Sequence, residues 1–260
     1  MPDARGRQLD LYTVDGVRLD AVHLPADDAD LAIVIAHGFS GSWRNARTRH
    51  IARALGGGVL GGAALGGRVG VVGFDFRGHG RSAGASTVGD QETFDLAAAV
   101  DYARRQGYQR VAVMGFSMGA AVAVRHAALH RGVDAVVSVS GPAHWYYRGT
   151  APMRMLHHAV ERPAGRLLSR MALRTRISSG GWPTPPPPTP EAVAHKISPA
   201  PLLVVHGDDD RFFPLRHAYA LHEAAVAPKE LWIERGMGHA ESGMTPELAR
   251  RLADWVSGAV

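Results

Sequence analysis

Apolar residues along this chain fall into two alternating patterns. Short uncharged runs at Leu31 to Ala36, Val111 to Phe116, Ala135 to Val139 and Leu202 to His206 have the length of strands buried on both faces, and Val69 to Phe76 reads the same way. Between them stand stretches with helical spacing: Trp43 to Leu55, Gln91 to Gln106, Met118 to His130, Leu215 to Val226 and Pro246 to Val256. Glu230 to Glu234 adds a late strand. At the start, Leu9 to Val14 and Val17 to Leu24 flank Asp15-Gly16, a dipeptide that favours a tight hairpin turn. Strands alternating with helices after an opening hairpin predict an α/β fold, with a mostly parallel central sheet and helices on both faces. Sheets of this kind bind ligands at the carboxyl ends of their strands.

One segment breaks the rhythm. Between the strand ending near Ser140 and the one starting at Leu202 no strand is evident. The segment holds Trp145-Tyr146-Tyr147, a helix predicted over Arg162 to Arg176, and the proline-rich run from Trp182 to Pro190. A long insertion at a strand's carboxyl end is commonly a functional lid. It is read here as a helical cap over residues 143–198, inside a single domain spanning 1–260. The proline run predicts a stiff, extended spacer. Gly56 to Gly67 reads as a loop and lacks the Lys-Ser/Thr ending of a phosphate-binding loop.

Composition narrows the classes. The 260 residues are 46% apolar, enough for one full core. There is no cysteine, which excludes a disulfide scaffold and cysteine-built zinc sites. Met1 to Asp10 lacks the apolar core of a signal peptide. The nearest approach to a membrane span, Gly56 to Gly73, is mostly glycine and is broken by Arg68. A cytoplasmic chain without a membrane span is expected. The net charge of +5 does not point to nucleic acid: Lys196 and Lys229 are the only lysines, and the excess is local. Residues 143–197 carry eight basic and two acidic residues, more than the whole net excess. Within them Arg162, Arg166, Arg170 and Arg174 recur every fourth position, a drifting stripe if the segment is helical. A solvated face explains that stripe. The sharper expectation is contact with an anionic group on a substrate or with an acidic carrier protein.

The strongest chemical signal is Gly115-Phe116-Ser117-Met118-Gly119, which ends an apolar strand and opens an alanine-rich helix. A serine on such a turn presents its hydroxyl to the cleft, and glycines two residues to either side leave room for neighbouring backbone. The hydroxyl needs a base, and the base needs a carboxylate to orient it. Of the 14 histidines, His239 stands out, late in the chain in the loop Gly236-Met237-Gly238-His239. The carboxylate is sought after the strand that leads into His206-Gly207-Asp208-Asp209-Asp210, and spacing alone does not choose among the three aspartates. His37, His79 and His206 sit in turn motifs and read as structural. His126 and His130, and the adjacent His157-His158, lack a nearby glutamate in a metalloprotease pattern, so no metal is expected.

The order serine, acid, histidine resembles that of the α/β-hydrolases. So do His37-Gly38-Phe39, the stretch Asp75-Phe76-Arg77-Gly78-His79-Gly80-Arg81-Ser82, the acid loop running from His206 to Pro214, and Gly238-His239. The chain is therefore similar, over nearly its whole length, to the branch with small esterases, serine aminopeptidases and monoacylglycerol lipase-like enzymes. The resemblance implies an α/β-hydrolase fold, Asp210 as the acid, and backbone N–H groups of Phe39 and Met118 as the oxyanion hole. It implies hydrolysis of an ester or related acyl bond through an acyl-Ser117 intermediate, without a cofactor, on a small-molecule substrate. Trp145, Tyr146 and Trp182 are candidate substrate-binding residues. A thioesterase acting on acyl-CoA or carrier thioesters is the alternative that the basic cap suggests. An aminopeptidase, a perhydrolase or a cofactor-free haloperoxidase would share the triad. A catalytically weak ligand-binding protein on the same fold is the alternative from another class. Serine at the elbow disfavours the aspartate-nucleophile dehalogenases and epoxide hydrolases.

Overall fold

The computed structural model describes residues 6–56 and 69–260. The loop read over 56–67 lies, beyond Gly56, outside the described residues. Strands β1 (Arg7–Tyr12) and β2 (Arg18–Leu24) form the predicted hairpin, turning at Gly16 with φ +79°. There follow β3 (Leu31–Ala36), helix α1 (Ala46–Leu55), β4 (Val69–Phe74), α2 (Glu92–Arg105), β5 (Arg110–Phe116), α3 (Met118–Leu129) and β6 (Ala135–Val139). After an insertion come β7 (Leu202–Gly207), α7 (Arg216–Ala224), β8 (Lys229–Glu234) and α8 (Pro246–Ala259). The sheet order is β1-β2-β4-β3-β5-β6-β7-β8. β2 runs antiparallel to both neighbours, and from β4 through β8 every pairing is parallel.

The strand pleat sorts side chains into two cores. Ala32, Val34, Val72, Phe74, Val113 and Val204 point into one, where they meet Leu96 of α2, Val122 of α3 and Leu221 of α7. Their neighbours Ile33, Ile35, Val71, Met114, Val137 and Val205 point into the other, against Ile51 of α1 and Leu252 of α8. Burial on both faces explains why these strands are unbroken apolar runs rather than alternating ones. β8 is half-exposed and carries Lys229, Glu230 and Glu234, charge that suits an edge strand.

The insertion between β6 and β7 departs from the expected single helix. Two helices form, α4 (Ala151–Glu161) and α5 (Pro163–Ala172), followed by the short α6 (Pro190–Val193). The break falls at Arg162, at φ −106° and ψ 137°, because the residue before a proline is pushed out of the helical region. α5 ends before Arg174, whose φ is +50°. The four arginines therefore do not share one helix: only Arg166 and Arg170 lie on α5, and Arg166 donates to the Val160 carbonyl at 2.9 Å. Residues beyond α5 return along the sheet domain, with bridges pairing Thr175 with His79 and Ile177 with Ser86. Among the described residues no helix is long and apolar enough to cross a membrane.

Candidate active site

Ser117 ends β5 and starts α3 at φ 52° and ψ −114°, a conformation that non-glycine residues rarely adopt. The turn is possible because its glycines have no side chain. A Cβ on Gly115 would lie 2.3 Å from the Gly119 carbonyl oxygen, and one on Gly119 would lie 2.1 Å from that of Ala36. The Ser117 N–H donates to Val139 O at 2.9 Å and ties the turn to the end of β6.

The three predicted residues meet. His239 Nε2 lies 2.8 Å from Ser117 Oγ, and His239 Nδ1 lies 2.8 Å from Asp210 Oδ2. The Asp210 side chain is buried and that of His239 is 14% exposed, so the pair is shielded while the imidazole still faces the cleft. Asp210 Oδ1 accepts the N–H groups of Phe212 at 2.8 Å and Phe213 at 3.1 Å. Burial acts to raise the Asp210 carboxyl, but the His239 ring and these two amides outweigh it and hold the group below the ordinary carboxylate range. Spacing left three aspartates open. The structure separates them, because Asp208 caps the Gly236 N–H at 2.6 Å and Asp209 is exposed.

The turn histidines hydrogen-bond to backbone. His37 Nδ1 is 2.7 Å from Gly38 O, and its Nε2 accepts the Phe76 N–H at 3.1 Å. Burial, with the neighbouring His79, pushes His37 down to about 3, which keeps it neutral. His79 Nδ1 is 3.0 Å from Arg77 O, and His206 Nε2 is 2.8 Å from Phe213 O. His126 is buried and stacks on His130 at 5.3 Å. Among the described residues no group of three His, Asp or Glu is placed to hold a metal ion.

Above Ser117 lies a mainly apolar cavity of about 200 Å3. Phe39 and Met118 line it, and neither backbone N–H donates to an acceptor among the described residues. For Met118 this is the free amide of a helix's first turn. Trp145, Tyr146 and Trp182 also line the cavity, joined by Tyr147. The proline run holds two of them: Trp145 Nε1 donates to Pro188 O at 3.3 Å, and the Tyr146 hydroxyl to Pro183 O at 2.8 Å. Arg162, Arg166, Arg170 and Arg174 are not among its lining residues.

Three further residues were not singled out from the sequence. Phe212 stacks on the His239 ring, with centroids 4.3 Å apart. Glu241, two residues past His239, lines the cavity and accepts the Gly38 N–H at 2.8 Å. Glu161 accepts from Trp182 Nε1 at 3.1 Å and pairs with Arg148 and His157, holding one cavity wall. Only Phe212 carried a local signal, since it sits inside the acid loop. The other two act across more than twenty residues of sequence or from a segment without a motif.

A family model described as alpha/beta hydrolase fold matches residues 32–171. Among curated proteins, the uncharacterized protein YqkD of Bacillus subtilis is 26% identical, over 87% of this chain and 70% of its own length. The esterase Pf2001 of Pyrococcus furiosus superposes with a TM-score of 0.74 at 22% identity, covering 98% of this chain and 93% of that one. Est1E of Butyrivibrio proteoclasticus, in a structure with ferulic acid bound, superposes with a TM-score of 0.67 at 19% identity, covering 96% and 98%.

Proposed function

We propose that this chain, which belongs to the α/β-hydrolase fold family, hydrolyses carboxylic esters of small molecules through an acyl-Ser117 intermediate. The carrying observation is the pair of 2.8 Å contacts that link Ser117, His239 and Asp210 at the base of an apolar cavity. Ser117 Oγ attacks the ester carbonyl while His239 Nε2 takes its proton. Asp210 accepts from Nδ1–H, which fixes the tautomer and steadies the imidazolium. The carbonyl oxygen becomes an oxyanion facing the free amides of Phe39 and Met118, worth roughly 3 kcal/mol each in the transition state. Collapse breaks the ester C–O bond, and His239 returns its proton to the leaving alcohol. Water then attacks the acyl-serine with His239 as base, releasing the acid and regenerating Ser117. The aromatic wall suits an aryl or alkyl acyl group. That two of the similar structures come from proteins named esterase or bound to an aromatic acid agrees with this choice.

Hydrolysis of a p-nitrophenyl ester chain-length series, beside matching acyl-CoA thioesters, tests the proposal with wild type and Ser117→Ala. Ester turnover that vanishes in the variant is expected. Faster thioester turnover would move the thioesterase to the front. If neither series is turned over and Ser117 resists fluorophosphonate labelling, the ligand-binding alternative takes its place.

A further inference from the structure

Helix α5 is amphipathic in the wrong sense for a helix facing water. Its one buried residue is the polar Ser169. Positions two before and two after a helical residue lie on the opposite side of the helix, about 200° away. Those positions are Leu167, 57% exposed, and Met171, 75% exposed. Met155 on the adjoining α4 is 74% exposed. A packed domain normally turns this stripe inward. Here it forms an apolar ridge on the outside of the molecule.

Cations border the ridge. Arg170 borders it on one side of α5, with Arg162 and Arg174 at the two ends, whereas Arg166 is half-buried on the Ser169 side and bonded to the Val160 carbonyl. No acidic residue occurs from 162 to 190. Among the described residues Arg162, Arg170 and Arg174 form no ion pair. An apolar ridge edged by long, unpaired arginines matches an anionic lipid surface, where the ridge enters the acyl boundary and the guanidinium groups stay at the headgroups. A second copy of the chain fits less well, since pairing two such ridges brings like charges together.

The ridge also adjoins a route inward. Between α4 and α5 lies an almost wholly apolar groove of about 480 Å3. Phe39 and Leu156 line both this groove and the cavity above Ser117.

We propose that the outer face of the α4–α5 cap docks on anionic lipid surfaces, and that lipid-borne acyl esters enter through the adjoining groove. The docking stands on the cap alone. The delivery of an ester rests on the hydrolase function proposed above.

The test is co-sedimentation of the full chain with vesicles of phosphatidylcholine, with and without an equal amount of phosphatidylglycerol, at low and high salt. Binding to the anionic vesicles that weakens with salt is expected. Leu167→Ser with Met171→Ser should weaken it about tenfold while leaving hydrolysis of soluble p-nitrophenyl acetate unchanged. Arg162→Gln, Arg170→Gln and Arg174→Gln together should abolish the preference for anionic lipid. Ser117→Ala should bind vesicles as wild type does, so docking is scored separately from hydrolysis. Absence of binding by wild type, or unchanged binding by the Leu167/Met171 variant, overturns the proposal. So does a solution dimer that this variant converts to monomer, since a second copy would then cover the ridge.

Discussion

The Glu241 carboxylate accepts the backbone N–H of Gly38 at 2.8 Å, across 203 residues of chain. It joins the loop that carries His239 to the loop that carries the Phe39 amide. A Cβ on Gly38 would lie 3.3 Å from both Glu241 Oε2 and Ser117 Cβ, so the three residues crowd one spot. Glu241→Gln keeps an acceptor for Gly38, and Glu241→Ala removes it. The alanine variant should lose about 10- to 100-fold in kcat with a smaller change in KM, and the glutamine variant should recover most of that loss. Steady-state kinetics beside thermal unfolding check this. Equal loss in both variants would show that the charge, not the hydrogen bond, matters.

Asp210→Asn should leave the fold intact and lower kcat by roughly 10^3 to 10^4, as in other serine triads. Phe212 and Phe213 occupy Oδ1 with their amides, so the Asn oxygen stays there and its NH2 faces His239 Nδ1. The histidine is then driven into the tautomer that cannot accept the serine proton. Burst kinetics with p-nitrophenyl acetate measure the loss, and a value within tenfold of wild type would remove Asp210 from the relay.

Gly119→Ala should cost several kcal/mol of stability, because its Cβ meets backbone rather than a side chain that can turn away. The added carbon would sit 2.1 Å from Ala36 O and 2.5 Å from His37 O. Overpacking of this kind typically costs about 1–3 kcal/mol even where side chains can yield. Urea unfolding of the variant gives the value directly.

Asp75 sets a stability trend with pH. It is fully buried, accepts the Trp43 N–H at 2.8 Å and the Arg81 N–H at 3.2 Å, and burial pushes its carboxyl up to about 6 from an ordinary 3.8. A raised carboxyl binds its proton more tightly in the folded chain. Its contribution is therefore fully favourable below about 4 and is lost as pH rises to about 6. At roughly 1.4 kcal/mol per unit, wild type should lose about 3 kcal/mol relative to Asp75→Asn over that interval. Denaturant titrations of both proteins at pH 4 and pH 7 check the sign, and a constant difference would refute it.

Trp182→Ala should raise KM for aryl and long acyl esters by about tenfold and leave p-nitrophenyl acetate unaffected, since the indole contributes wall area rather than chemistry. Its tilted contact with Tyr146, centroids 4.8 Å apart, would also be lost. A uniform change in kcat across the series would instead assign Trp182 to holding the cap.

The alternation of apolar runs and helical stretches determined the fold class by itself. A strand buried on both faces must be apolar throughout, and Leu31–Ala36 or Leu202–Gly207 admits no other comfortable place. Residues fixed by local geometry were legible for the same kind of reason. Ser117 needs glycines two residues away on either side, so the turn writes itself into five consecutive residues. Arrangements made by distant segments left no such trace. Spacing by itself did not separate Asp210 from Asp208 and Asp209; the likeness of the acid loop pointed to Asp210, and only the structure shows which carboxylate meets His239 and which meets Gly236. Glu241 and Gly38 meet because two loops leave the same end of the sheet. The arginine repeat looked like one helical stripe, because a period of four is all that sequence spacing records. Pro163 then excluded Arg162 from the helix, and the burial of Ser169 decided which way α5 faces. Local backbone rules act within a few residues and are visible in the chain. Packing decides orientation, and only the tertiary structure contains it.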